Sequence, residues 1–164
     1  MNELLSIETA LLDDDGSCRD VNFSEPTWIG VTQLVKGLGQ NFRERRAHND
    51  DGHPLTESHW RKVKSSVLET GSVHLDYRDS LGVLINLQIW IASEEDGSPF
   101  IELTFFPEDL AEMDRLGENF IAWVDAARAT LQANRYFCRY ENASWRFGDT
   151  SQQSGVFFAS NGYS

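Results

Sequence analysis

Four histidines crowd one stretch of the chain, His48, His53, His59 and His74, with Asp50 and Asp51 among them. Imidazole and carboxylate together suit zinc or manganese, so the first chemistry to consider is metal-assisted hydrolysis. The spacing argues against it. No H-E-x-x-H or related pattern occurs, and His48 to His59 falls in a polar stretch that reads as a loop and helix start. Solvated surface histidines are the plainer reading, and we assign no metal ligands.

Other constellations fail in the same way. Asp13-Asp14-Asp15-Gly16-Ser17 suggests calcium, but Cys18 and Ser24 stand where an EF-hand loop needs glycine and glutamate. No G-x-S-x-G elbow surrounds any serine. Gly37-Leu38-Gly39 lacks the third glycine of a dinucleotide loop and ends a helical stripe instead of opening one. Cys18 and Cys138 are too few for a disulfide framework, and each sits in a strand-like run where a thiol packs as a small hydrophobe. Glu102 shares a strand face with Thr104 and Phe106, a conceivable acid–base position that reads more simply as solvent face. The expectation is a binding protein with no catalytic residues and no cofactor.

Charge carries more information. The 164 residues hold 26 acids against 14 lysines and arginines, a net charge of −12, which argues against nucleic acid as a direct partner. Between Glu94 and Asp125 stand Glu94, Glu95, Asp96, Glu102, Glu108, Asp109, Glu112, Asp114, Glu118 and Asp125, with Arg115 the lone base. Segregation of this kind can steer a basic partner. The candidate partner-binding residues are therefore Trp90, Glu94, Glu95, Asp96, Glu102, Glu108, Asp109 and Glu112. The amino-terminal residues lack the basic and apolar regions of a signal peptide, and the apolar runs are only strand-length. The expectation is a cytoplasmic protein with no membrane partner, monomeric or homodimeric.

Periodicity predicts the elements that must position these residues. Residues 2–12 predict a strand ended by the Asp13–Ser17 turn, and Arg19 to Phe23 predicts a second. Ser24-Glu25-Pro26 predicts a helix start, followed by Trp28, Val31, Leu34, Val35 and Leu38 on one stripe. Residues 41–55 predict a loop, and Thr56 predicts the cap of a helix that turns Trp60, Val63 and Val67 inward. Three alternating runs form a meander: Val73, Leu75, Tyr77; then Val83, Ile85, Leu87, Ile89, Ile91; then Ile101, Leu103, Phe105. Its outer face would carry Leu84, Trp90 and Phe106 among His74, Asn86, Gln88 and Glu102, apolar enough to need a cover or a partner. Pro107-Glu108-Asp109 opens a helical region whose main helix spans about 118–133, and strands follow at 135–140 and 155–159. The sum is a single domain over 1–164, of α+β class: a mostly antiparallel sheet, a central three-stranded meander, and two to four helices against it.

Three segments, CRDVNFSEPTW (Cys18–Trp28), PFIELTFFPE (Pro99–Glu108) and RYENASW (Arg139–Trp145), resemble those of small bacterial immunity proteins. These are encoded beside polymorphic or contact-delivered toxins, including type VI secretion effectors. The resemblance implies a cytoplasmic inhibitor that binds a cognate toxin, in many cases a basic nuclease, with aromatic anchors such as Trp90 or Trp145. An adaptor or chaperone for a secreted effector would share the acidity and size. A small metal-dependent hydrolase built on the histidine–aspartate stretch is the alternative from another class.

Overall fold

The computed structural model describes residues 3–56, 61–141 and 155–160. His59, Trp60 and Trp145 lie outside the described residues. In chain order the elements are α1 (Glu3–Leu12), β1 (Arg19–Ser24), α2 (Trp28–Asn41), β2 (Phe42–Asn49), α3 (Val63–Thr70), β3 (Ser72–Ser80), β4 (Leu87–Ser93), β5 (Pro99–Phe105), a 3₁₀ turn (Pro107–Asp109), α4 (Leu116–Leu131), β6 (Arg135–Tyr140) and β7 (Val156–Ala159). The strands form one antiparallel sheet in the order β2-β3-β4-β5-β1-β6-β7. The fold is α+β, with the expected meander as the contiguous β3-β4-β5 block.

One sheet face meets the helices. Val73, Leu75 and Tyr77 of β3, Ile89 and Ile91 of β4, and Ile101, Leu103 and Phe105 of β5 are buried. They share a core with Val31, Leu34 and Val35 of α2 and with Phe120, Val124 and Leu131 of α4. Period-two burial on strands and a 3.6-residue stripe on helices are what a helix layer on a sheet requires. The helix layer is tight at one crossing. A Cβ on Gly30 would lie 2.4 Å from the Leu131 carbonyl oxygen, so only glycine lets α2 approach the end of α4.

Three local expectations are corrected. Residues 3–12 are helix, not strand. Leu4, Ile7 and Leu11 repeat at helical spacing, and Ile7 and Leu11 bury their side chains in the common core. Within the expected 41–55 loop lies β2, an edge strand whose alternating residues are mostly charged, so no apolar period marks it. The α2 cap is Thr27, whose hydroxyl accepts from the Gly30 N–H at 3.0 Å; Ser24 closes β1 instead. The described helix α3 runs Val63–Thr70, with Val63 and Val67 buried, and the start expected after Thr56, with Trp60, falls at 57–60, outside the described residues.

The meander's middle strand is also shorter than its alternation. Residues 81–86 lie outside the regular β4 register, although the Ser80 N–H still donates to the Ile85 carbonyl at 3.1 Å, and they pin to the segment after β5. The Ile85 N–H donates to the Asp109 carbonyl at 2.7 Å, and Leu84 bridges to Leu110. Leu84 is consequently buried and does not belong to the outer face.

The Asp13–Ser17 turn is organised by a cation of the chain itself. Arg19, fully buried, donates from Nε to the Ala10 carbonyl at 2.9 Å and from Nη1 to the Ser17 carbonyl at 2.8 Å and to Asp15 Oδ1 at 3.2 Å. Its Nη2 also reaches the Asp13 carbonyl, and its guanidinium stacks 4.3 Å from the Tyr140 ring centroid. A positive group at the carboxyl end of α1 satisfies carbonyls that have no helical partner and complements the helix dipole.

Candidate functional site: the open face of the sheet

The sheet face away from the helices is ordered by register into rows that cross the strands. One row runs His48, His74, Trp90, Glu102, Asn22, Phe137 and Ala159, each paired with the next on the neighbouring strand. The adjacent row runs Arg46, Asp76, Gln88, Thr104, Asp20 and Arg139. Side chains at paired positions stand within contact of each other, and diagonal neighbours remain in reach of long or aromatic groups.

The β2–β5 half of the face is aromatic. His48 and His74 stack with ring centroids 5.0 Å apart, His74 stacks on Trp90 at 6.1 Å, and Trp90 meets Phe100 edge-on at 5.1 Å. Trp90 keeps 39% of its surface exposed. Asp50 sits beside this ladder, its carboxylate 3.2 Å from His74 Nε2 and accepting from the Ser72 hydroxyl. That hydroxyl and His74 hold the Asp50 carboxyl below the ordinary aspartate value. His53 is exposed, its backbone N–H bonded to Asn49 Oδ1 at 2.9 Å, and does not join the pair. Among the described residues no three histidine, cysteine or carboxylate groups gather at metal-ligand distance.

The β5-β1-β6 half is a buried polar network. Arg139 Nε donates to Asn22 Oδ1 at 3.0 Å, and Nη2 lies 3.5 Å from Glu102 Oε2 and 3.9 Å from Asp20 Oδ2. Asn22 Nδ2 donates to Glu102 Oε2 at 2.7 Å, and the Thr104 hydroxyl to Asp20 Oδ1 at 2.7 Å. Asp20, Asn22 and Arg139 are all under a tenth exposed. Burial is the main force raising the Asp20 carboxyl above its usual value, against the Thr104 hydrogen bond, which lowers it. Two carboxylates share one guanidinium here, so the network holds fixed acceptors in place. Cys18 is next to it, Sγ 3.8 Å from Asp20 Oδ1, with its thiol pushed up to about 12 by burial and the nearby carboxylates. Burial likewise pushes the Cys138 thiol far up. A thiol held protonated is a poor nucleophile.

The acids singled out by sequence do not form one patch. Glu94, Glu95 and Asp96 occupy the β4–β5 turn, where Asp96 accepts from the Ser98 N–H at 2.9 Å. With Glu25, Pro26 and Phe100 they line a groove of about 490 Å³. Glu108, Asp109 and Glu112 lie beyond the far end of β5, roughly 20 Å away along the strand. There Asp109 is engaged internally, accepting from the Phe106 N–H at 2.9 Å and from Asn86 Nδ2 at 2.8 Å. Glu102 lies between the two groups, and Trp90 stands opposite it.

Sequence reasoning missed Asp20, Asn22, Thr104 and Arg139 as one network, and Glu25 and Phe100 as part of the groove. The polar alternation in Arg19–Phe23 and Arg135–Tyr140 was visible. The strand order that joins them to Glu102 was not.

No family model matches the chain, and no curated protein does. A solved structure does. The fold matches a chain of the crystal structure of the toxic C-terminal tip of CdiA from Pseudomonas aeruginosa in complex with immune protein. The TM-score is 0.57 at 14% identity, over 90% of this chain and 97% of that chain. At such identity the likeness is one of fold, and it spans nearly the whole of both chains. Among the described residues no helix is long and apolar enough to cross a membrane.

Proposed function

We propose that this chain is an immunity protein that binds a cognate bacterial toxin in the cytoplasm and holds it inactive, with no catalysis of its own. The observation that carries the reading is the shared fold with a chain of a toxin–immune-protein complex, over 97% of that chain. The likeness favours a CdiA-type toxin over a type VI secretion effector. The net charge of −12 supports the inhibitor's side of such a pair and a basic toxin, a nuclease among the candidates, as its target.

A growth assay tests this. The toxin domain encoded beside this chain is induced in bacteria with and without it. Expected is growth arrest by the toxin alone, rescue by co-expression, and normal growth with this chain alone. Arrest caused by this chain by itself, or failure to rescue with both proteins present, overturns the reading. Rescue in cells without a secretion apparatus separates an inhibitor from a secretion chaperone.

A further inference from the structure

Phe100 belongs to two surfaces at once. Its ring meets Trp90 edge-on at 5.1 Å and so ends the aromatic ladder that begins at His48. It also forms one wall of the groove at the β4–β5 turn. Among the described residues that line this groove are Glu25, Glu94, Glu95 and Asp96, and no lysine, arginine or histidine. On the ladder side, Glu102 pairs with Trp90 in register. An exposed indole and a half-buried phenyl ring thus lead directly into a concave, anionic recess.

The geometry points to this junction as the docking point for a basic partner protein, which presents an arginine or lysine to it. The proposal rests on the immunity reading and deepens it, since the partner is the toxin. A long cationic side chain has the matching form: an apolar stem to lie over Trp90 and Phe100, and a charged head to reach the groove carboxylates. The chain's own nearby cations do not fill that place. Arg139 is buried between Asp20 and Glu102, and Arg46 sits across the sheet on β2. Arg135, paired with Ser24 beside Glu25, lays its guanidinium over the Phe137 ring at 5.3 Å and donates from Nε to the Ser160 carbonyl at 3.4 Å. A second copy of this chain is the wrong occupant. A two-fold contact centred on this junction would set one anionic groove against the other, on two chains that each carry a charge of −12. Aromatic anchors surrounded by complementary charge are where binding energy concentrates.

The probe is the purified toxin domain against which the chain protects in the growth assay, silenced in its own active site. Binding kinetics are compared at low and moderate salt for wild type, Trp90→Ala, Glu95→Lys and Glu112→Lys, each checked for unchanged Tm. Trp90→Ala is expected to weaken binding about tenfold or more, chiefly through faster dissociation. Glu95→Lys is expected to slow association about tenfold at low salt and to flatten its salt dependence. Glu112→Lys, beyond the far end of β5, should stay within about twofold of wild type. Equal effects of Glu95→Lys and Glu112→Lys, or wild-type binding by Trp90→Ala, overturn the docking site while the immunity reading stands. A toxin that wild type does not bind at all removes both.

Discussion

Trp90 stands directly opposite Glu102 across the β4–β5 ladder, so an exposed indole and a half-buried carboxylate occupy one register position on the open face. Trp90 faces outward through the ladder, and Glu102 is held from behind through Asn22 and Arg139. The pair divides the face into an aromatic half available for contact and a polar half that is already satisfied.

That division predicts what Trp90→Ala does to the free protein. Its ring contacts with His74 and Phe100 are cross-strand pairs on a solvated face, so the loss should cost about 1 kcal/mol or less. Urea unfolding checks this. A large loss of stability would mean that the ring is part of the core.

Removing the shared guanidinium should be far more damaging. Arg139→Met leaves Asp20 and Glu102 close together without their cation, and should cost about 3 kcal/mol. Adding Glu102→Gln relieves one of the two charges and should recover part of that loss. If the double variant is no more stable than Arg139→Met, the network is not held together by charge.

The raised Asp20 carboxyl makes a pH prediction with a definite sign. The folded state takes up its proton at a higher pH than the unfolded state, whose aspartate titrates near 3.8. Between that value and the raised folded one, the folded state binds more protons, so this residue's contribution to stability falls as pH rises. Asp15, Asp50 and Asp96, whose carboxyls are lowered by hydrogen bonds, act in the opposite sense and below 3.8. Replacing Asp20 by asparagine should therefore flatten the stability profile only above 3.8. Unfolding midpoints measured at several pH values should show wild type and Asp20→Asn converging towards acid and diverging towards neutrality, with the variant the more stable there.

Gly30→Ala should destabilise without touching the open face. The added methyl would meet the Leu131 carbonyl oxygen at 2.4 Å, backbone against helix end, and neither can turn aside. A loss of about 2 kcal/mol is expected in urea unfolding. Wild-type stability would mean that the α2–α4 crossing is looser than the structure has it.

Both thiols should be silent in the native state. Cys18 and Cys138 are buried and protonated, so a thiol-reactive dye should label neither until urea exposes both. Fast labelling of either in the native protein would contradict the packing around β1 and β6.

The sequence by itself determined the parts of this protein that local periodicity encodes. The alternation in 73–77 and 101–105 announced β3 and β5, and the stripe through Phe120, Trp123, Val124, Ala127 and Leu131 announced α4, all buried there but the partly buried Trp123. It also determined the acidity that shapes the functional reading. Where two periods fit the same letters, as for Leu4, Ile7 and Leu11, or where an edge strand carries charges on both sides, as in Phe42–Asn49, the local signal misled.

The tertiary structure alone decided which residues meet. It inserted β1 between β5 and β6, so that Asn22 bonds Glu102 across 80 positions and Arg139 across 117. It also separated Glu94–Asp96 from Glu108–Glu112 by the length of β5 and set Phe100 between ladder and groove. The physical reason is that a strand's alternation says which side chains share a face and nothing about which strand lies beside it. Neighbours in a sheet are chosen by the burial of the whole core, a property no short stretch of chain possesses.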